Sequence, residues 1–423
     1  MHLSHVLSAA ACLVSSALST THPSSGGSNH EGPDLNGKYW IYGEGIAASF
    51  IPYGASISNL VLKDKNGVPR DIVMGFDKAS DYAADKAHPH LGGVPGRYAN
   101  RIKNSTFEIE GVAYHITANE NPTAEHPDGL DTLHGGKDGW DWRDFDVVSH
   151  TNNSITFSIV DPDGKEGFPG EVISYITYTV GDMTWDAKMV AIATTKKTPI
   201  MLSSHTYWNL DGFANDKTST VFNHTFHLPY SGQRVAVDNI LIPTGDILAN
   251  AKGSVNDFWS APKQIGQGFE DPEIHGNCGF NCTGYDNCWL VNRPAAHDWR
   301  ADGAFVASLS SAWSGIKVDI YSDQDAFQMY SCGGQNGSFP LKAGQGVGRH
   351  HDAVSSRNVG DPQTTTTKKG SDRTVPKYGC VVMEVQDWID GVNHPEWGRL
   401  GKQVFGPGGD PYVLQVSHRF TVG

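Results

Sequence analysis

The sequence is poor in positive charge. It has 32 Lys and Arg residues against 46 Asp and Glu residues, which gives a formal net charge of −14. Such a surface repels the phosphates of DNA and RNA, so the composition argues against a nucleic-acid partner. The sequence also lacks an apolar run of about 20 residues, the length that crosses a bilayer. We therefore expect no membrane-spanning segment.

Long helical periodicity is nearly absent, whereas glycine and proline are frequent. The 48 Gly and 22 Pro residues among 423 indicate many turns and hence many short strands. Apolar and polar residues alternate from Met183 to Ala191 and again from Tyr412 to Val422, as in half-buried strands. These patterns predict an all-β fold, a large antiparallel β-sandwich.

The chain divides into three parts. Residues 1–19 contain no Lys, Arg, Asp or Glu and include the apolar run Val6–Leu18, which predicts a signal peptide. Residues 20–38 are rich in Ser, Gly, His and Pro and are predicted to be a flexible segment. No linker divides residues 39–423, which we interpret as one β-sandwich domain with an irregular loop insertion at 333–377.

Five glycosylation sequons support export from the cell, and together with the signal peptide they predict a secreted, extracellular glycoprotein. Six cysteines become five if Cys12 leaves with the signal peptide. In an oxidising compartment we expect one or two disulfides and one free thiol, with the pairing left open. The sequons begin at Asn104, Asn152, Asn223, Asn281 and Asn336.

Signatures of metal and cofactor sites are missing. His88-Pro-His90 and His350-His351 have no matching ligand at a diagnostic spacing, so no metal is expected. The sequence contains no G-x-G-x-x-G fingerprint and no G-x-S-x-G nucleophile elbow. We therefore expect no cofactor and no serine nucleophile.

Five segments combine ionisable residues with turn glycines. Each is weak by itself, because a His beside Gly-Gly usually belongs to a turn and a lone Glu on an apolar strand usually faces solvent. The segments are Gly92–Ile102 (GGVPGRYANRI), Leu133–Gly136 (LHGG), Ser203–Leu210 (SSHTYWNL), Gly284–Leu290 (GYDNCWL) and Met383–Pro395 (MEVQDWIDGVNHP).

In this order and spacing, the segments resemble the aldose 1-epimerase (galactose mutarotase) family. The resemblance runs from about residue 40 to the C-terminus. Its most specific parts are the Asn-Arg of GRYANRI, Leu-His-Gly-Gly, His-Thr-Tyr-Trp-Asn-Leu and the Glu-x-Gln…Asp-x-Val-Asn-x-Pro run. The family's fold is a large β-sandwich, the galactose mutarotase-like supersandwich, and agrees with the alternation.

The resemblance implies roles for seven residues. Glu384 matches the family's general base, and His205 matches its general acid. The remaining five match residues that bind the sugar, which are Asn100, Arg101, His134, Asp286 and Gln328.

Interconversion of α and β anomers requires these residue types. A base takes the proton of the C1 hydroxyl while an acid protonates the ring oxygen, and the roles reverse when the ring closes on its other face. A partly buried carboxyl and an imidazole both titrate near neutrality, so they suit this exchange. Arg101 and His134 would stabilise charge on oxygen without a metal. The expected partner is a small aldose sugar. The sequence makes no prediction of the oligomeric state.

Aromatic side chains beside these segments are candidates for packing against the sugar face, with the sandwich core as the alternative. They are Tyr207, Trp208, Phe213 and Trp289.

Three functional hypotheses compete. The first is an aldose 1-epimerase acting on free hexoses such as glucose or galactose, with a mutarotase for phosphorylated sugars as a variant. The second is a catalytically inactive secreted carbohydrate-binding sandwich. The third is a glycosidase that uses Asp286 and Glu384 as a carboxylate pair. The full set of matched ionisable residues favours the first.

Overall fold

The computed structural model describes residues 32–88, 90–294, 297–346 and 373–423. The predicted signal peptide at 1–19, most of the segment 20–38, and both His350 and His351 lie outside the described residues. Strands dominate the described chain, which confirms the all-β prediction. Two short α-helices accompany them, α1 (Ala79–Ala84) and α2 (Leu400–Gln403). Among the described residues, no helix has the length and apolar character to cross a membrane.

The strands are short and connected by turns, as the glycine and proline content predicted. In chain order they are β1 (Tyr39–Gly43), β2 (Ile46–Phe50), β3 (Ile57–Lys63), β4 (Pro69–Asp71), β5 (Arg101–Ile102), β6 (Thr106–Ile109), β7 (Val112–His115), β8 (Thr132–Leu133), β9 (Asp146–His150), β10 (Ser154–Asp161), β11 (Val172–Gly181), β12 (Thr184–Ala193), β13 (Thr198–Pro199), β14 (Tyr207–Trp208), β15 (Thr225–His227), β16 (Gln233–Val237), β17 (Pro243–Ala249), β18 (Lys263–Gln264), β19 (Asp286–Leu290), β20 (Ala307–Ser310), β21 (Ile316–Ser322), β22 (Ala326–Tyr330), β23 (Val381–Gln386), β24 (Val404–Phe405) and β25 (Tyr412–Val422). Turns of 3-10 helix lie at Lys103–Ser105, Trp140–Trp142, Lys165–Gly167, Val221–Asn223, Ile265–Glu270, Pro272–Ile274, Gly391–Asn393 and Pro395–Trp397.

Two large antiparallel sheets form the sandwich. The nine-stranded sheet has the order β18-β15-β20-β21-β25-β12-β11-β10-β9, and the six-stranded sheet has the order β14-β23-β22-β19-β16-β17. A four-stranded sheet, β1-β2-β3-β4, adds to one side, and three two-stranded ladders pair β13 with β24, β5 with β8, and β6 with β7.

The core lies between the two large sheets. Trp185 of β12 packs against Trp208 of β14 with ring centroids 5.9 Å apart, and Phe226 of β15 packs against Phe327 of β22 at 6.0 Å. All four rings belong to one continuous cluster of buried apolar residues. Sandwich packing therefore places every second residue of β14 and β22 in the core.

Alternation in the sequence is confirmed where one face of a strand meets the core. In β12 every second residue from Trp185 to Ala193 is buried, and β25 shows the same period from Tyr412 to Phe420. The two strands pair along most of their length, with Trp185 opposite His418. A hairpin that turns at Glu110-Gly111 pairs β6 with β7.

The described ends of the loop insertion at 333–377 pack on the domain. Phe339 and Val375 are fully buried. The buried Lys342 forms an ion pair of 2.6 Å with Asp71 and also donates to the carbonyl of Ser58. The insertion is therefore anchored by both apolar and charged contacts.

Two disulfides are present, Cys278–Cys282 and Cys332–Cys380. Cys288 is the free thiol among the described cysteines and is buried in β19. Cys332 follows β22 and Cys380 precedes β23, so the second disulfide closes the base of the loop insertion.

Candidate functional site

Three predicted site residues lie side by side on the outer face of the six-stranded sheet. Gln328 of β22 is directly opposite Glu384 of β23, and Asp286 lies on the next strand, β19. Their chain neighbours Phe327 and Val385 point the other way, into the core. Because successive side chains of a strand point to opposite faces, Gln328 and Glu384 lie on the face away from the core.

Glu384 is held in a buried, sparsely bonded position. It is 3% exposed, and its Oε2 atom has no hydrogen-bond partner in the described structure. Burial raises the pKa of the Glu384 carboxyl well above its ordinary value. Asp286 adds to this rise, whereas the nearby Arg101 opposes it. Burial therefore favours the protonated, neutral form of this carboxyl.

His205 faces Glu384 from the segment that leads into β14. Its backbone N–H donates to the carbonyl of Gly93, and its own carbonyl accepts from the N–H of Gly92. The side chain places Nε2 3.7 Å from Oε1 of Glu384. Burial lowers the pKa of His205 well below its ordinary value, and the neighbouring His90 lowers it further. The base candidate Glu384 and the acid candidate His205 are thus close enough to contact neighbouring atoms of one sugar.

His134 is oriented by the backbone of Asn100. The Asn100 N–H donates to Nδ1 of His134 over 3.0 Å, so the neutral ring carries its proton on Nε2 and presents that atom as a donor. Both residues have positive φ, 52° for His134 and 61° for Asn100. The following Gly135 is required because a Cβ there would lie 2.0 Å from the carbonyl oxygen of Gly96.

Arg101 and Asp286 form a charged group next to Glu384. Arg101 makes a bidentate ion pair with Glu120, with both N–O distances at 2.7 Å, and lies 3.9 Å from Asp286. Gln328 Nε2 donates to Asp286 Oδ1 over 2.6 Å. Burial raises the pKa of Asp286, and Arg101 opposes that rise. Each polar group has a fixed orientation before a sugar binds.

The same group of residues has the donor atoms of a metal site. His134, His205 and Glu384 each offer a ligand atom within 4.8 Å of the others. Nδ1 of His134, however, is occupied by the Asn100 N–H, so Nε2 must be protonated. A metal on either nitrogen would need that bond broken or a second proton removed from the ring. The residues present therefore fit hydrogen bonding better than metal ligation.

The structure brings all seven predicted residues together, and it adds one that sequence analysis considered only as a metal ligand. His90 has ring centroids 4.5 Å from His134 and 5.6 Å from His205, and its Nδ1 bonds to Asp141. His88 instead contacts Asp85 and Ser338, so the two histidines have different hydrogen-bond partners. The one signal for His90 was its place two residues before Gly92, whose backbone pairs with His205.

The aromatic predictions were only partly correct. Trp208 and Trp289 are fully buried in the core, so they do not line the site. Tyr207 lies on the opposite face from Trp208, with its ring centroid 5.0 Å from that of His205. Phe213 packs at the edge of a separate apolar cluster that also contains Tyr207. Adjacent residues of one short strand therefore have different surroundings.

Comparison with known proteins agrees with this site. The sequence family described as aldose 1-epimerase matches residues 40–399. A probable aldose 1-epimerase of Arthroderma benhamiae is 38% identical over 403 residues, which cover 90% of this chain and 86% of that protein. Galactose mutarotase of Homo sapiens is 30% identical over 372 residues, covering 85% of this chain and 88% of that protein.

A solved structure supports the same relationship. The GalM/aldose epimerase homologue from C. elegans has a TM-score of 0.70 and 25% identity, and the match covers 91% of this chain and 99% of that chain. The family match extends over most of the residues that build the sandwich and its polar face. The chain belongs to the aldose 1-epimerase family.

Proposed function

We propose that the protein is an aldose 1-epimerase, an isomerase that interconverts the α and β anomers of free hexoses such as glucose and galactose. One observation carries the catalytic assignment, the 3.7 Å approach of His205 Nε2 to Glu384 Oε1 in a buried site. A base and an acid at this separation can reach the C1 hydroxyl and the adjacent ring oxygen of one pyranose. Family membership supports isomerisation over glycoside hydrolysis.

In the proposed cycle, one proton passes from the sugar to Glu384 and one passes from His205 to the sugar. Ionised Glu384 removes the proton of the C1 hydroxyl, and protonated His205 gives a proton to the ring oxygen as the C1–O5 bond breaks. The open-chain aldehyde then faces a neutral carboxyl and a neutral imidazole. Rotation about C1–C2 presents the other face of the carbonyl, and closure returns both protons. Each positioned proton transfer contributes about 10²- to 10⁴-fold to the rate.

Burial favours the neutral forms of Glu384 and His205, which are the forms present after the ring opens. The raised pKa of Glu384 and the lowered pKa of His205 both stabilise the neutral pair. Arg101 lies near the carboxyl and opposes its protonation, so it supports the ionised form needed for ring opening. The donor Nε2–H of His134 is available to the oxygen on which charge develops. Asp286 and Gln328 would hold sugar hydroxyls.

Substituting the base tests the proposal. Glu384→Gln should lower kcat by about 10²- to 10⁴-fold, because the amide cannot take the C1 proton. The measurement is the decay of optical rotation after pure α-glucose or α-galactose is dissolved, corrected for the spontaneous rate. Glu110→Gln is the matched control, since the Glu110 side chain is 68% exposed and pairs with Lys197 at the surface.

Other outcomes would favour other hypotheses. A wild-type protein that binds hexoses without accelerating mutarotation would favour the inactive sugar-binding sandwich. Release of the chromophore from nitrophenyl glycosides would favour the glycosidase. Glu384→Gln with wild-type activity would remove the carboxyl from the mechanism.

We further propose that the protein is secreted and N-glycosylated. All five sequon asparagines are exposed, at positions 104, 152, 223, 281 and 336. The two disulfides also suit an oxidising compartment. Expression of the full chain in a eukaryotic host should give protein in the medium whose mass falls on treatment with peptide N-glycosidase. Retention of unmodified protein inside the cell would contradict this proposal.

A further inference from the structure

We propose that His90 is a third sugar-binding imidazole of the site, that it accepts a hydrogen bond from one hydroxyl of the bound aldose, and that Asp141 is its positioning residue. This inference rests on the proposed function, because it concerns the same substrate. It assigns a specificity-determining contact to a residue outside the seven that the family resemblance indicated.

His90 lies within the imidazole cluster. Its ring centroid is 4.5 Å from that of His134 and 5.6 Å from that of His205, and His134 and His205 are 5.2 Å apart. On another side its ring meets the edge of Trp142 at 5.8 Å. Its side chain keeps 10% exposure, so it is neither sealed in the core nor free on the surface. A sugar that contacts both His134 and His205 would lie next to it.

Asp141 fixes the tautomer of His90. Nδ1 of His90 bonds to Oδ2 of Asp141, whose side chain is fully buried. A carboxylate only accepts hydrogen bonds, so Nδ1 carries the proton and the neutral ring presents the lone pair of Nε2. Among the described residues, Nε2 makes no hydrogen bond. An oriented acceptor without a protein partner is therefore held beside the candidate site.

His134 presents the opposite polarity. Because its Nδ1 accepts from the Asn100 N–H, its Nε2 is a donor. Two neighbouring rings thus offer one donor and one acceptor. A sugar hydroxyl donates one hydrogen bond and accepts others, so this pair matches a hydroxyl, or two adjacent hydroxyls, without any charge on the ligand. The matching chemistry is that of a neutral polyol.

The backbone supports a fixed position for His90. Its φ is 63°, in the left-handed region that most residues avoid. The next turn is tied to the catalytic segment through the bond from the Gly92 N–H to the His205 carbonyl. A small displacement of His90 would therefore also disturb His205, and the test must separate a sugar contact from this structural role.

Substitution by asparagine separates the two roles. In His90→Asn the amide nitrogen takes the place of Nδ1 and retains the bond to Asp141, but nothing replaces Nε2. Asparagine also tolerates the left-handed backbone, so little strain is added. His90→Gln is the matched variant, because its amide reaches the place of Nε2. Asp141→Asn tests the positioning, since an amide no longer forces the proton onto Nδ1.

The experiment measures kcat and KM of mutarotation for a parent hexose and its 2-, 3-, 4- and 6-deoxy analogues. For one analogue, wild-type kcat/KM should fall about three- to tenfold, the effect of one hydrogen bond. His90→Asn should lower kcat/KM for the parent by the same factor, mainly through KM, and should cause no further loss with that analogue. His90→Gln should recover part of the loss, and Asp141→Asn should weaken the same contact.

Two results would overturn the inference alone. One is an active wild type together with a His90→Asn variant whose kcat/KM falls by the same factor for every sugar, as a purely structural role predicts. The other is a His90→Asn variant that loses no kcat/KM on any sugar. A wild type that mutarotates no aldose would overturn the proposed function as well. Should His90→Asn fail to fold, ¹⁵N NMR of the wild type carries the test. The His90 Nε2 resonance should have the shift of an unprotonated nitrogen and move on addition of sugar, and an unmoved resonance would contradict the contact.

Discussion

At the scale of single residues, burial sets the chemistry of His205 and Glu384. Each side chain is less than a tenth exposed, and the environment disfavours the charged form of both. The pair shares one proton, and its neutral arrangement is the one left after ring opening. The same environment acts before a sugar binds, so the neutral pair is favoured in the free protein as well as after ring opening.

The same burial predicts which way the two limbs of the pH profile move. Ordinary values are 4.5 for the carboxyl and 6.5 for the imidazole. Gaining a second proton makes the pair cationic, and losing its proton makes it anionic, so burial opposes both changes. We expect the acidic limb of kcat/KM to lie well below pH 6.5, where the pair gains a second proton, and the alkaline limb to lie well above pH 4.5, where the pair loses its proton.

Polarimetry in several buffers, corrected for buffer-catalysed mutarotation, measures this profile. An acidic limb near pH 6.5 or an alkaline limb near pH 4.5 would contradict the direction of these shifts. The two limbs should be assigned to the pair, because strongly interacting groups do not titrate separately.

At this scale, the sequence identified those site residues that lie within recognisable motifs. The seven predicted site residues come from short motifs, and the structure places them together. His90 belongs to no such motif, and its role depends on Asp141, which is 51 positions away in the chain. Trp208 was ambiguous because its neighbour Tyr207 faces the site, so only the register of β14 decides between core and site.

At the scale of elements, strand β23 of the six-stranded sheet is buried on both faces. All six residues of β23 are buried, with Val381, Met383 and Val385 in the main core and Glu384 on the other side. A strand covered on both sides lacks the apolar-polar alternation that reveals β12 and β25. This is why Glu384, considered alone, suggested a solvent-facing residue.

The loop insertion gives a prediction at the same scale. Lys342 is buried and bonded to Asp71 and Ser58, so Lys342→Met leaves a buried carboxylate without its cation. We expect a loss of about 3–5 kcal/mol in the free energy of unfolding, measured by urea denaturation.

Lys317→Met is the control for this prediction. Lys317 pairs with Asp319 at 2.8 Å but is 43% exposed, and such surface pairs contribute at most about 1 kcal/mol. Equal losses in the two variants would show that Lys342 does not anchor the insertion.

At the scale of the whole molecule, the negative net charge should have little effect on the reaction of a neutral sugar. The chain carries a formal charge of −14, but a neutral hexose is not steered by that field. We expect kcat/KM for free hexoses to change less than about twofold between 0.02 and 0.5 M NaCl.

A phosphorylated sugar should respond differently. Repulsion from the negative surface is screened by salt, so its kcat/KM should rise over the same range. Mutarotation measured with glucose and with glucose 6-phosphate compares the two substrate classes. Strong preference for the phosphate ester would contradict the free-hexose proposal.

The Cys332–Cys380 disulfide has a further consequence. It joins the residue positions just after β22 and just before β23, the neighbouring strands that carry Gln328 and Glu384. The intervening chain and the disulfide therefore form a covalent ring, which closes beside the six-stranded sheet that carries the site. Cleavage of any one peptide bond in this ring would leave a single molecule with both strands still tethered, and the two pieces would separate only after reduction and unfolding.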